Sequence, residues 1–389
     1  MSIKLASVCP VCGRPKGAVS LSEYDCAHCG FQNAYLQSFA GEESRAQWQR
    51  TVQDAQAAWR GKQRAELARA HRLTVGSHGV ALWVPQENAL YLALANGQLQ
   101  VEQQAVQYSA TERNSAVRYA NGTVKVLGED NSYGQKDTNP WRDIRFVLAA
   151  PNCTYGVTKT GAVLAQGVPV DPTVREWADM QSLACGTRHV VGLTTGGTVR
   201  LAGILPAGAA EAIASWQNVT QLTAARDCAA ALHQDGTVSF AGKPNDPRKE
   251  AEQWQNILSV ACDSAYVYGL TQDGNLLLAG SCKAFLDKGR SEAAQWTDLM
   301  ELACNTAGVG AVDAAGQLHF AGTFPISFAK EFHGKMFRDE ELAFVYIYDQ
   351  PVDITELILQ KEEVEAVEWF DLEKTYEECK YCRDTFCVP

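Results

Sequence analysis

Cys9-Pro-Val-Cys12-Gly13 and Cys26-Ala-His-Cys29-Gly30 are two CxxC pairs separated by thirteen residues, each followed by glycine. Four thiolates at this spacing can surround one Zn²⁺ tetrahedrally, and the glycine after each pair lets backbone amides turn toward the sulfurs with no Cβ in the way. Cys9, Cys12, Cys26 and Cys29 would saturate the ion, so its role is structural: no position is left for an activated water. A redox dithiol and a knuckle that has lost its metal are the alternative readings. His28 lies inside the second pair and reads as a surface residue rather than a ligand.

The paired knuckles resemble the zinc-ribbon family, with a gap slightly shorter than usual. Residues 42–72 then read as one helix, because Trp48, Val52, Ala55 and Trp59 recur at spacings of four, three and four and share a face. Arg45, Arg50, Arg60, Lys62, Arg64 and Arg69 occupy the other side. Two expectations follow: weak nucleic-acid binding through residues 1–72, or a solvated basic face whose opposite Trp face docks on the next domain.

These elements belong to a 389-residue chain that is 46% hydrophobic, enough for a core and for two or three domains. The net charge of −11 argues against a surface built wholly for nucleic acid. Charge is uneven: +4 over residues 1–72, −5 over 73–330 and −10 over 331–389. Thirteen cysteines dispersed through a chain whose start has no apolar signal core imply reduced thiols and a cytoplasmic protein. No run approaches the length of a membrane-spanning helix, and no membrane partner is expected.

Internal repetition points to the fold. Residues 177–203 run from Trp177-Ala-Asp179 through Cys185 and Val191-Gly-Leu to Gly196-Gly197 and an alternating strand ending Ala202-Gly203. The frame recurs over 216–242, 254–280 and 296–322, with a looser copy over 141–167, and the tryptophans stand 36, 39, 38 and 42 residues apart. Asn121-Gly122 and a degenerate Asn96-Gly97 add two further hairpin turns, making seven. Isolated hairpins cannot bury their apolar faces, whereas units of this size arranged radially can. The expected fold is mainly β: a six- or seven-bladed β-propeller over 74–325, preceded by a zinc ribbon (1–39) and a linker helix (40–73). A short α+β segment (326–389) follows. An open stack of β-units is the alternative architecture.

The frame resembles the regulator of chromosome condensation repeat family. The likeness rests on Trp177-Ala-Asp179, Trp296-Thr-Asp298, Asp235-Gly-Thr-Val238 and Gly128-Glu-Asp-Asn131-Ser-Tyr-Gly134-Gln135. The family's Gly-x-x-His step survives only as Gly186-Thr-Arg-His189, and its Gly-Gln linker occurs once. The resemblance implies a binding surface for a protein partner; nothing matches the loops on which nucleotide exchange depends. Cys153, Cys185, Cys228, Cys262 and Cys304 fall at nearly one place in successive repeats and read as buried packing, one per blade. The sequons at Asn121, Asn152 and Asn218 are expected by chance.

Beyond the repeats, residues 342–348 read as a strand, and residues 359–372, with Glu362-Glu363-Val and Trp369-Phe-Asp-Leu372, resemble the rear half of a Nudix hydrolase. The glutamate-rich box that would hold Mg²⁺ is absent from the sequence, so Glu362 or Glu363 would have no metal site to assist. Cys379, Cys382 and Cys387 are three thiols without a fourth ligand. The sequence therefore implies a non-enzymatic interaction protein with a structural zinc, a relative of the Nudix-type nucleoside diphosphate hydrolases or a nucleic-acid-binding ribbon being the other candidates.

Overall fold

A computed structural model describes residues 6–16, 24–26, 28–35, 39, 41–70, 72–76, 79–94, 99–111, 114–127, 131–282, 287, 289–305, 307–332 and 335–344. The expected helix is α1, Glu42–Ala70, two residues shorter than the sequence suggested. Seven antiparallel sheets follow in chain order. The first contains β1 (Leu73–Gly76), β2 (Gly79–Val84), β3 (Ala89–Leu94) and β4 (Leu99–Gln103). The second contains β5 (Ala105–Ala110), β6 (Ser115–Tyr119) and β7 (Val124–Leu127), and the third β8 (Ile144–Ala150), β9 (Cys153–Thr158) and β10 (Val163–Gly167). β11 (Met180–Cys185), β12 (His189–Thr194) and β13 (Val199–Gly203) form the fourth. After the short α2 (Ala209–Ala214) come β14 (Val219–Ala225), β15 (Cys228–His233) and β16 (Val238–Ala241), then β17 (Ile257–Cys262), β18 (Tyr266–Thr271) and β19 (Leu276–Gly280). The seventh sheet is β20 (Leu299–Cys304), β21 (Gly308–Asp313) and β22 (Leu318–Phe332). From Thr323 onward β22 pairs with β23 (Lys335–Phe344), a hairpin that belongs to a second compact unit.

Each sheet packs on its sequence neighbour, and β1 packs on β20 and β21, so the sheets close into a seven-bladed ring rather than an open stack. Closure buries faces that a stack would leave bare at both ends. The apolar cores lie in the seams between blades. Tyr155 and Val157 of the third sheet meet Met180 and Leu183 of the fourth, and Leu193 of the fourth meets Val219 and Ala229 of the fifth. Where the ring closes, a Cβ on Gly310 would come 2.9 Å from Val75, so that position has no room for a side chain without movement.

The repeated Trp-x-Asp/Asn now has a physical reason. The tryptophan lies against the middle strand of its own blade; a Cβ at Gly156 would approach Trp141 to 2.8 Å, and one at Gly192 would do the same to Trp177. The acidic or amide residue two positions later takes positive φ: Asp143 +55°, Asp179 +60°, Asn218 +54°, Asn256 +59° and Asp298 +54°. Asp and Asn tolerate that region better than most residues. The kink aims the next amide at the glycine carbonyl of the preceding blade's turn: Ile144 N–H donates to Gly122 O, Met180 to Gly161 O, Val219 to Gly197 O and Ile257 to Gly236 O.

Inner strands are edge strands, and their free amides need acceptors. A register shift after the first paired residue of each inner strand in sheets two to seven, as at Val219/Gln221, supplies part of the answer. Gln221 Oε1 accepts Val260 N–H at 2.9 Å and Thr223 Oγ1 accepts Cys262 N–H at 3.1 Å. Gln107 and Ser109 do the same for Val147 and Ala149. Glu301 holds the corresponding place in the seventh sheet and pairs with Arg72, which leads into β1. His189, the histidine of Gly186-Thr-Arg-His189, presents Nε2 to Cys228 O at 3.2 Å across a seam, so that nitrogen carries the proton. Burial brings its pKa down to about 4, leaving the ring neutral.

Candidate metal centre

The two knuckles are near copies. Gly13 N–H donates to Cys9 O at 2.9 Å and Gly30 N–H to Cys26 O at 2.7 Å, with φ of +69° and +74° at the glycines. Val11 N–H approaches Cys9 Sγ at 3.4 Å. Cys9 N–H to Arg14 O and Cys26 N–H to Phe31 O close each loop. The result brings all four sulfurs within 4.8 Å of one another, with Cys9–Cys29 at 3.6 Å and Cys12–Cys26 at 3.5 Å. A tetrahedral site with Zn–S near 2.3 Å requires sulfurs roughly 3.8 Å apart, so the donor set fits one ion.

Electrostatics agree with that fit. Burial opposes ionisation of Cys26, but amide donors from Cys29 and His28, with Tyr35 and Cys12, bring its thiol down to about 6. Cys29 is pushed up to about 12, first by burial and then by the neighbouring thiols. Four sulfurs this close cannot all ionise without a cation among them. The packing around them is small: Cys9, Cys26, Ala34 and Tyr35 are its buried members.

The placement of α1 corrects the expectation for its faces. The Trp side meets the knuckle segment, not the propeller: Trp59 stands edge-on to His28 at 5.2 Å, Trp48 lies 5.3 Å from Phe39, and Gln56 donates to Pro10 O at 2.7 Å. Basic residues dock on the ring instead. Arg64 is 3% exposed; its Nε donates to Leu299 O at 2.6 Å, Nη1 to Gln272 O at 3.1 Å and Nη2 to Asp298 Oδ1 at 2.6 Å. Arg60 reaches the other Asp298 oxygen at 3.0 Å. Gly274 makes the room, since a Cβ there would fall 2.6 Å from the guanidinium. Arg60 and Arg64 are thus engaged with the seventh blade, while Arg45 and Arg50 remain exposed. Nothing in the spacing separates a docking arginine from a solvated one, which is why the sequence reading missed this contact.

On the same rim, a polar recess of about 490 Å³ is lined by Gln217, Asn218, His233, Gln234, Asp235 and Thr237. Both His233 nitrogens are occupied, by Gln217 O at 2.7 Å and Ser239 Oγ at 2.8 Å, so the ring is not poised as a base. Glu362, Glu363, Cys379, Cys382 and Cys387 lie outside the described residues. Among the described residues no helix is long and apolar enough to cross a membrane.

The repeat cysteines also require correction. Cys185, Cys262 and Cys304 end inner strands, whereas Cys153 and Cys228 open middle strands. They are buried or half-buried, as expected, but they occupy two structural positions, which brings some of them together across seams.

No protein-family model matches this chain and no curated protein matches its sequence. Among solved structures it is similar to the CRINKLY WD40 ectodomain of the Arabidopsis thaliana receptor kinase ACR4, at 13% identity over 64% of this chain and 93% of that one, TM-score 0.49. It is also similar to yeast RCC1 (Prp20) bound to Kap60, at 14% identity over 64% and 69% of the two chains, TM-score 0.35. Human WBSCR16 shows 13% identity over 64% and 76%, TM-score 0.35. At these identities the likeness is one of fold.

Proposed function

We propose that the chain is a non-enzymatic interaction protein of the cytoplasm, in which a structural Zn²⁺ held by Cys9, Cys12, Cys26 and Cys29 shapes a ribbon (1–39). In this reading a linker helix (40–73) fixes the ribbon to a propeller (74–325) that binds a protein partner, and residues 326–389 form a separate segment. The observation that carries it is the insertion of Arg64 between Leu299, Gln272 and Asp298. That contact sets the helix on the blade rim, so knuckles, helix and rim can present one surface. Yeast RCC1, similar in fold, is bound to Kap60 in its own structure, which is in keeping with a protein ligand here.

Affinity capture of the full-length protein from lysate of its own source, with and without nuclease, tests this. The expected result is the same discrete protein partner in both samples, lost on Asp298→Arg. Recovery that vanishes with nuclease would transfer the function to residues 1–72 and a nucleic acid. Turnover of a metabolite abolished by one propeller substitution would overturn the non-enzymatic reading.

A further inference from the structure

Cys228 and Cys262 stand on opposite sides of the seam between the fifth and sixth sheets, 0% and 4% exposed, in one apolar cluster. The 3-10 helix Pro247–Gln253 crosses this seam and carries Arg248, itself 5% exposed. Arg248 Nη1 lies 3.1 Å from Cys228 Sγ and 3.2 Å from the carbonyl of Asp263, the residue after Cys262. The guanidinium is held by Asp246 at 2.7 Å and Asp227 at 3.1 Å, and Lys243 also pairs with Asp227. On the other side, the Thr223 hydroxyl accepts Cys262 N–H at 3.1 Å and donates to Cys262 Sγ at 3.3 Å.

The seam between the third and fourth sheets supplies a control within the same molecule. Cys153 and Cys185 have the same topological relation there, but Cys153 Sγ donates to Pro169 O at 3.1 Å and Cys185 Sγ faces Ala149 O at 3.9 Å. A carbonyl repels an ionised sulfur, whereas a guanidinium stabilises one. Burial raises Cys153 against the opposing pull of Tyr155 and the Arg175 charge, and burial with the nearby Cys153 takes Cys185 to about 12. Cys228 is lowered, by its hydrogen bond with Cys262 first and by the Arg248 charge, against burial; Cys262 is raised by the same hydrogen bond and by burial.

We propose that Cys228 is a hydroperoxide-reactive thiolate and Cys262 its resolving thiol, so that oxidation staples the fifth blade to the sixth. The Cys228 thiolate attacks the O–O bond of hydrogen peroxide; an S–O bond forms, the O–O bond breaks, and hydroxide leaves and takes a proton. The Cys262 sulfur then attacks the sulfenic sulfur, the S–O bond breaks and water departs with the Cys262 proton. One peroxide and two thiols give one disulfide and two waters, the dithiol supplying both electrons. Peroxide is close to water in size and suits a seam closed to bulkier oxidants.

The test uses full-length protein treated with stoichiometric hydrogen peroxide, alkylated under denaturing conditions and mapped without reduction. The expected result is a dithiothreitol-reversible Cys228–Cys262 peptide forming at least about tenfold faster than any Cys153–Cys185 link, in line with thiolate control of the rate. In Cys262→Ala, peroxide treatment followed by denaturation in dimedone should label Cys228, and Arg248→Gln should slow formation of that sulfenic acid about tenfold. An absent Cys228–Cys262 link, an equal rate at Cys153–Cys185, or no dimedone adduct in Cys262→Ala overturns the proposal; the last keeps it testable should Arg248→Gln fail to fold.

Discussion

The knuckle segment and the ring hold their shapes by opposite means. The first has a core of a few side chains around four sulfurs converging on a point, too little apolar surface to offset chain entropy alone. The second spreads its apolar contacts over successive seams, each also tied by a positive-φ kink, an amide bond to the neighbouring turn or a borrowed side-chain acceptor. A pointlike support should fail all at once, and a distributed one by degrees.

Metal removal gives the largest expected effect. Structural zinc contributes on the order of 10 kcal/mol in small domains, so a chelator, or Cys12→Ser, should release one zinc per chain and expose residues 1–39 to protease while the ring's melting transition remains. Loss of the ring's transition as well would erase the distinction. Next in size is Arg64→Ala, which strips Leu299 O and Gln272 O of their donor and should cost about 3 kcal/mol, read by urea unfolding together with tryptic release of the helix.

Acid provides a comparable stress at the seam that His189 spans. The His189 pKa is lower in the folded protein than its usual value near 6.5, so its contribution is full above that pH and is lost as pH falls toward 4. The loss should reach about 3 kcal/mol at 1.36 kcal/mol per pH unit, and His189→Gln should flatten that part of the stability profile. Gly203→Ala, at φ +91° with a Cβ only 2.2 Å from Arg188 O, should cost about 2 kcal/mol in calorimetry without opening the ring. Lys159→Ala removes an exposed pair with Asp143 and should change stability by less than about 0.5 kcal/mol. A larger change would mean that the ring also depends on single points.

Much of the ring was legible because its rules are local. Each Asp-Gly, Asn-Gly or Gly-Gly turn among the described residues sits between strands of alternating pattern, and each repeat tryptophan needs a small residue opposite it, so period and turn count led to the propeller; the expected turn at Asn96-Gly97 lies outside the described residues. The clustering of Cys9, Cys12, Cys26 and Cys29 was legible for the same reason. Contacts made at long range left no such trace. Whether Arg64 faces solvent or Leu299 depends on a partner 235 positions away, and Cys153 and Cys185 look equivalent in the repeat although one opens a middle strand and the other ends an inner one.

The packing of β1 on the seventh sheet also orders events in time. A ribosome adding about 5–20 residues per second needs roughly 10–50 s to pass from Leu73 to Gly322. Throughout that interval the nascent first blade keeps one face bare, and α1, made earlier still, has no Leu299 carbonyl to receive Arg64. The helix emerges among the first elements and reaches its berth among the last, which makes a holding chaperone most useful between the first blade and the seventh.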